Sequence, residues 1–238
     1  MTAPHFFAED VSGDRVTLSR DDSRHALRVL RLRPGEQITI ADGAGAVVEA
    51  TVGEDTERLV ASVTARRNEQ RPRPAIHVAQ AIPKKGKLDL VVQKLTELGV
   101  ASIRPFASSR SIPRWDTAKV EAQATRLRDV ARQAAMQSRR AWLPVVTTPG
   151  VAGEIELEAP ALVLHEGAAT RLTHALPEEA PASVTIVVGP EGGLTEEEVV
   201  GFLERGAQAV TLGPSILRTE TAALAAVAVI SARYGQLG

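Results

Sequence analysis

The chain has 238 residues, with 28 Lys+Arg against 29 Asp+Glu, 44% apolar residues, 3% aromatics and no cysteine. That length gives one or two domains with enough material for a core. The lack of cysteine excludes disulfides, thiolate metal sites, iron–sulfur chemistry and a Cys nucleophile. The longest apolar run, 222–230, is well short of the roughly 18 residues of a membrane span. With no charged-then-apolar leader pattern either, the reading is a soluble, cytoplasmic protein.

A net charge of −1 argues, taken alone, against a polyanionic partner, but the charge is unevenly spread. Residues 1–140 hold 24 Lys+Arg and 17 Asp+Glu, and residues 141–238 hold 4 and 12. Within the first part, 74–140 carries 13 cations against 5 anions, a +8 segment. Such asymmetry is the footprint of a nucleic-acid contact. The alternative is a solvated Arg-rich face, since 23 of the 28 cations are arginine.

In chain order, short strands are predicted at 16–18, 37–41, 46–53 and 58–65, punctuated by Pro34-Gly35 and by Asp42-Gly43-Ala44-Gly45. One helix interrupts them at 21–32 and presents Arg24, Arg28, Arg31 and Arg33. The segment 68–74, with two prolines, has the composition of a linker. Beyond it the pattern changes to βαβ units. A strand at 75–82 leads to a helix at 87–98 that Gly99 ends at its C′ position, and a strand follows at 101–106. A long helix spans 117–140. Strands then fall at 161–164, 184–188 and 209–212, with helices at 196–205 and 219–232.

Two strand-to-helix loops carry the chemistry. In the first, a buried strand runs into Gly189-Pro-Glu-Gly-Gly193, and Thr195 with Glu198 forms a capping box for the next helix. The loop is neither GxxxxGK[ST] nor GxGxxG, so the P-loop and the dinucleotide fingerprint both fail. Acidic residues after the glycines repel a phosphate and suit a neutral or cationic ligand. A tight turn plus a helix cap is the bland alternative. In the second loop, Leu212-Gly-Pro-Ser-Ile-Leu-Arg-Thr-Glu-Thr-Ala222 places Arg218, Thr219, Glu220 and Thr221 around a helix start. Leu162-Val-Leu-His-Glu-Gly167 is a third strand exit, and three such exits at the carboxyl ends of strands can form one pocket.

The chain resembles the ribosomal RNA small-subunit methyltransferase E family of the SPOUT superfamily over nearly its whole length. The resemblance is carried by His25 with Val29-Leu-Arg31, Lys84-Lys-Gly-Lys87, Lys94-Leu-Thr-Glu-Leu-Gly99, Arg110-Ser111 and Gln137-Ser-Arg139 before Pro144. It is most specific in Gly189-Pro-Glu-Gly-Gly193 and Leu212-Gly followed by Ile216-Leu-Arg-Thr-Glu-Thr-Ala222. Met136 departs from the Glu that often precedes Gln-Ser in that family. The resemblance implies an α/β fold in two domains: a PUA-like RNA-binding β-barrel at 1–70 and a SPOUT methyltransferase domain with a deep trefoil knot at 74–238. It also implies S-adenosylmethionine as donor, N3 of a 16S ribosomal RNA uridine as acceptor, and a homodimer with no membrane partner. Sequence pattern alone does not suggest a knot.

Against that background, the residues take on provisional roles. The histidines at 5, 25, 77, 165 and 174 show no metal-ligand spacing, so no metal is expected. Methylation of uridine at C5 usually needs a cysteine, which points to a ring nitrogen or ribose oxygen instead. Arg218 is the leading catalytic candidate, as a guanidinium that stabilises the anionic uracil, and Glu191 is a candidate base or partner for the cationic donor. Donor contacts are expected from Leu164, Gly189, Pro190, Gly192, Gly193, Leu212, Gly213, Ile216 and Leu217. Phosphate contacts are expected from Arg24, Arg28, Arg31, Arg33, Lys84, Lys85 and Lys87. Arg139, with Gln137, is a candidate to reach RNA or the second subunit's site. So few aromatics argue against base stacking and for recognition of folded RNA shape. The competing functions are a catalytically silent RNA-binding or assembly factor of the same fold, and a nucleotide-dependent α/β enzyme that the missing fingerprints disfavour.

Overall fold

A computed structural model describes residues 3–55, 57–84, 86–110 and 117–237. It divides into two compact units, Met1–Arg71 with Ala135–Leu143, and Pro72–Ala134 with Pro144–Gly238. The expected second region, 74–238, is therefore interrupted by nine residues that pack with the first unit.

The first unit contains β1 (His5–Phe7), β2 (Arg15–Thr17), α1 (Arg20–Arg24), β3 (Gln37–Ala41), β4 (Ala46–Val52) and β5 (Val60–Asn68). Its sheet runs β1-β3-β4-β5-β2, and among the described residues its end strands do not pair with each other. Where a PUA-like β-barrel was expected, the sheet is a half-barrel. One face buries Phe6, Leu18, Ile38, Ile40, Val48, Ala50, Leu59 and Ala61. Alternation sends Phe7, Ala41 and Val47 to the other face, where Ala135, Ala141, Trp142 and Leu143 cover them. Met136 packs against both clusters, so the apolar residue at this position serves the core of the first unit.

The turn at 42–45 explains why 135–143 docks here. Gly43 and Ala44 bridge to Trp142, the Leu143 N–H donates to the Gly43 carbonyl at 3.0 Å, and the Trp142 Nε1–H donates to the Glu69 carbonyl at 3.0 Å. Gly45 sits at φ +105, and a Cβ there would lie 2.6 Å from Trp142 Cζ2. The glycine thus meets two demands together, a left-handed backbone and room for an indole. The helix expected at 21–32 is two pieces: α1, capped by Ser19 accepting from the Asp22 N–H at 3.1 Å, and a π-helical stretch at His25–Val29.

The second unit contains β6 (Ala75–Ala81), α2 (Leu88–Glu97), β7 (Ser102–Ala107), α3 (Thr117–Gln137, its last three residues counted with the first unit), β8 (Val145–Val146), β9 (Gly150–Val151), β10 (Ala161–Leu164), α4 (Leu172–Ala175), β11 (Ser183–Val188), α5 (Glu196–Glu204), β12 (Gln208–Val210) and α6 (Thr219–Arg233). Its sheet is wholly parallel, in the order β12-β10-β11-β6-β7-β8, with β9 also on β7. The near-continuous apolar strands 75–81 and 183–188 are those of a sheet covered on both faces. One face packs Ile76, Val78, Ile103, Leu162, Val184 and Ile186 against α2 and α6; the other packs Ala81, Phe106, Val163 and Val187 against Phe202 of α5.

That second face also holds an ion pair, buried at its arginine and half-buried at its glutamate, that sequence pattern did not flag. Arg104, with a side chain 9% exposed, grips the Glu158 carboxylate in a fork at 2.5 and 2.6 Å and donates to the Glu156 carbonyl at 2.6 Å. The Arg104 guanidinium holds the Glu158 carboxyl down at about 2, against an ordinary value of 4.5.

Two helices end in the same hydrogen-bonded cap. After α2, the Gly99 N–H donates to the Thr96 carbonyl and the Val100 N–H to the Leu95 carbonyl, with Gly99 at φ +81 as expected. After α3, the Arg139 N–H donates to the Met136 carbonyl and the Arg140 N–H to the Ala135 carbonyl, with Arg139 itself at φ +56. Arginine there occupies a conformation that glycine adopts at far lower cost. α3 therefore stops at Gln137, three residues short of its expected end.

Candidate active site

Because every ladder of the second sheet is parallel, the carboxyl ends of β12, β10, β11, β6 and β7 share one edge, and their loops leave from it. Open α/β sheets bind ligands at that edge. The two loops singled out by sequence, 189–194 and 211–218, are both there, and so is the β10 exit beyond Leu164.

These loops are tied together by short polar bonds. Thr219, the first residue of α6, donates its hydroxyl to the Gly189 carbonyl at 2.6 Å. Gln80, at the end of β6 and opposite Val188 in the β6–β11 register, donates Nε2 to Thr219 Oγ1 at 2.9 Å. Arg110 donates to the carbonyls of Gly192 and Leu194 at 2.5 and 3.4 Å. Glu198 completes the α5 capping box and also accepts from the Ser109 N–H at 2.7 Å, which fastens the β7 exit to the same helix start. Gly189 leaves little room for a side chain, since a Cβ there would lie 3.1 Å from the Leu194 nitrogen and that backbone would have to give way by a few tenths of an ångström. Gly193 at φ +70 and Gly213 at φ +133 hold backbone conformations that favour glycine.

Arg218 is the N-cap residue of α6; it is exposed, and its side chain has no hydrogen bond or ion pair among the described residues. A charged group left free beside a glycine-lined edge is available to a ligand. Glu191 accepts the Lys84 backbone N–H on both carboxylate oxygens at 3.1 Å, so it braces the β11 loop against the β6 loop. Acting as a base would require that bond to open. Lys87 pairs with Glu220 at 2.8 Å, and this ammonium holds the Glu220 carboxyl below the ordinary carboxylate range.

Of the residues expected to hold a donor, Leu164 and Leu212 are half-buried and Pro190 is buried within the loop. Leu217 is exposed and Ile216 is 81% exposed. Gly189, Gly192, Gly193 and Gly213 offer backbone alone. Of the residues expected to contact phosphate, Lys84 is exposed at this edge, Lys87 is engaged by Glu220, and Lys85 lies outside the described residues. In the first unit, Arg24, Arg28, Arg31, Arg33 and Arg139 are all exposed, and Arg31 at φ +56 shares the left-handed backbone of Arg139.

Sequence reading missed Gln80. Its signal was an amide in a strand, Ala-Ile-His-Val-Ala-Gln-Ala, that is otherwise apolar but for His77. Two buried acceptors near this edge, Gln80 Oε1 and Glu220 Oε2, have no partner among the described residues. Unsatisfied acceptors, a carboxylate and glycine backbone suit a cationic ligand rich in donor groups and disfavour a phosphate. Among the described residues no group of three or more His, Asp and Glu side chains could hold a metal ion, and no helix is long and apolar enough to cross a membrane.

Comparison with known proteins accords with this architecture. Residues 69–231 match the family model of an RNA methyltransferase domain, and residues 18–63 that of an RNA methyltransferase PUA domain. The chain is 37% identical to a ribosomal RNA small subunit methyltransferase E of Mycobacterium bovis, over 98% of this chain and 94% of that protein. The namesake from Bacillus subtilis is 33% identical over 90% and 89%. Among solved structures, the ribosomal RNA small subunit methyltransferase E of Neisseria gonorrhoeae bound to S-adenosyl methionine superimposes with a TM-score of 0.88 at 32% identity, covering 98% of both chains. A methyltransferase of Legionella pneumophila in complex with bound SAM gives a TM-score of 0.87 at 29% identity, again over 98% of both. With a half-barrel PUA-like unit, a parallel α/β unit and these relatives, the chain belongs to the ribosomal RNA small subunit methyltransferase E family.

Proposed function

We propose that the protein methylates N3 of a uridine in small-subunit ribosomal RNA, with S-adenosylmethionine as donor, as a cytoplasmic homodimer whose 74–238 region is knotted through the 189–194 and 211–218 loops. The observation that carries this reading is the junction of those loops, where the Thr219 hydroxyl meets the Gly189 carbonyl and leaves Arg218 unpaired beside them. S-adenosylmethionine, when bound, supplies the transferable methyl group. The backbone of Gly189, Gly192, Gly193, Gly213, Ile216 and Leu217, with Leu164 and Leu212, would hold it, and the unsatisfied acceptors Gln80 Oε1 and Glu220 Oε2 fit its cationic, donor-rich chemistry.

The acceptor nitrogen is nucleophilic only once its proton has left, and the charge that remains spreads over uracil O2 and O4. A fixed guanidinium stabilises that anion in the transition state, a task suited to Arg218. Glu191 and Lys87 keep the β6 loop against the site, and the exposed arginines of the first unit bind RNA backbone. The dimer is supported by α6, whose Ala222–Ile230 stretch is apolar on every side although Ala222, Leu224, Ala225, Ala228 and Val229 are only half-buried. Incubation with labelled donor and small ribosomal subunits, followed by nuclease digestion, is expected to put label in N3-methyluridine. RNA binding and donor binding without any label would instead establish a catalytically silent assembly factor.

A further inference from the structure

The end of β6 buries an amide whose donor end has no task in the chemistry above. Gln80 is 0% exposed, and its Nε2 donates to the Ala81 carbonyl and to Thr219 Oγ1, both at 2.9 Å. A carbonyl only accepts, so the contact with Ala81 fixes which end of the amide carries nitrogen. Thr219 has a single hydroxyl proton. With Gln80 donating to its oxygen, that proton must go onward, and it goes to the Gly189 carbonyl at 2.6 Å. The bonds therefore run in one direction, from the end of β6 through the first residue of α6 to the first residue of the glycine loop. Gln80 Oε1 stays buried without a protein partner among the described residues, a penalty that an apolar residue of the same size would avoid.

We propose that Gln80 is a positioning residue for the methyl donor: by dictating the direction of the Thr219 hydroxyl, it fixes the separation of the 189–194 and 212–218 loops. This rests on the reading of those loops as the donor site. The discriminating variant is Gln80→Glu. An ionised carboxylate only accepts, so the Thr219 proton turns back toward position 80 and the Gly189 carbonyl loses its donor. Burial favours the neutral acid, and once protonated the introduced group has one O–H, enough to restore the bond to Thr219 though not the second one to the Ala81 carbonyl.

Calorimetry with S-adenosylmethionine is expected to show the variant binding about tenfold more weakly than the parent at pH 8, with the deficit shrinking to about twofold at pH 5.5. Equal affinity of variant and parent at both pH values would overturn the proposal, and so would a deficit that does not change with pH. Where Gln80→Glu does not fold, Thr219→Val and Thr219→Ser carry the test: the valine variant is expected to lose about tenfold in donor affinity and the serine variant to retain it. Equal affinity of the two would overturn the relay. A parent protein that binds no donor would refute the donor-site reading itself.

Discussion

Arg139 offers a substitution for which stability and RNA binding should move in opposite directions. It holds φ +56 at the C′ position of α3, in the same pair of cap bonds that Gly99 makes after α2. A left-handed conformation costs an L-residue about 1–2 kcal/mol, while glycine costs about 0.5–1 kcal/mol more entropy on folding. Arg139→Gly is therefore expected to stabilise the protein by about 0.5–1 kcal/mol, raising Tm by about 1–4 °C at this chain length. The same change removes an exposed cation, so RNA affinity is expected to fall and the slope of log K against log salt to flatten by about 0.7–0.9. Differential scanning calorimetry gives the first quantity, and fluorescence anisotropy of a ribosomal RNA fragment across a salt series gives the second. Arg139→Asn, which tolerates the left-handed region, separates charge from backbone. A lower Tm for the glycine variant would refute the cap analysis, and an unchanged salt slope would remove Arg139 from the RNA contact.

Three further expectations concern other residues. Arg218→Ala is expected to lower kcat by about 100- to 1,000-fold while the donor Kd stays within about twofold; unchanged turnover would clear Arg218 of a catalytic role. Gly45→Ala forces a Cβ to 2.6 Å from Trp142 Cζ2 at φ +105, and denaturant unfolding should register a loss of about 3 kcal/mol. His5 is held below its ordinary value of 6.5, first by burial, although the bond to the Arg140 carbonyl opposes the shift. It is neutral in the fold and takes a proton on unfolding, so its contribution is complete above pH 6.5 and declines as pH falls below that, by at most about 1.4 kcal/mol per pH unit. Tm measured from pH 7.5 to 5 should fall less steeply in His5→Gln, and parallel curves would exclude the effect.

How much of this was legible in the sequence depended on whether a residue's demands are local. Gly99 announces its own cap, because glycine after an amphipathic run is the usual left-handed residue. Arg139 forms the same cap without that signal, and α3 was accordingly read three residues too long. Near-continuous apolar runs marked the long strands of the parallel sheet, whereas β1, three buried residues at His5–Phe7, is too short a run to stand out. The docking of 135–143 onto the first unit depends on a long-range fit between Trp142 and Gly45, and each of these looks ordinary in its own neighbourhood. At the candidate site, the glycine loops and Arg218 stand out by their motifs. Gln80 escaped because its role arises only when strand register brings it beside a residue 139 positions away.

The detour of the chain through 72–134 before Ala135–Leu143 also sets an order of events during synthesis. The half-barrel strands leave the ribosome first, but Phe7, Ala41 and Val47 stay uncovered until Trp142 has been made. By then β6, α2 and β7 have already emerged. The amino-terminal unit is thus finished only after the other has begun, and a fragment cut at Arg71 would carry an open apolar face in place of a completed domain.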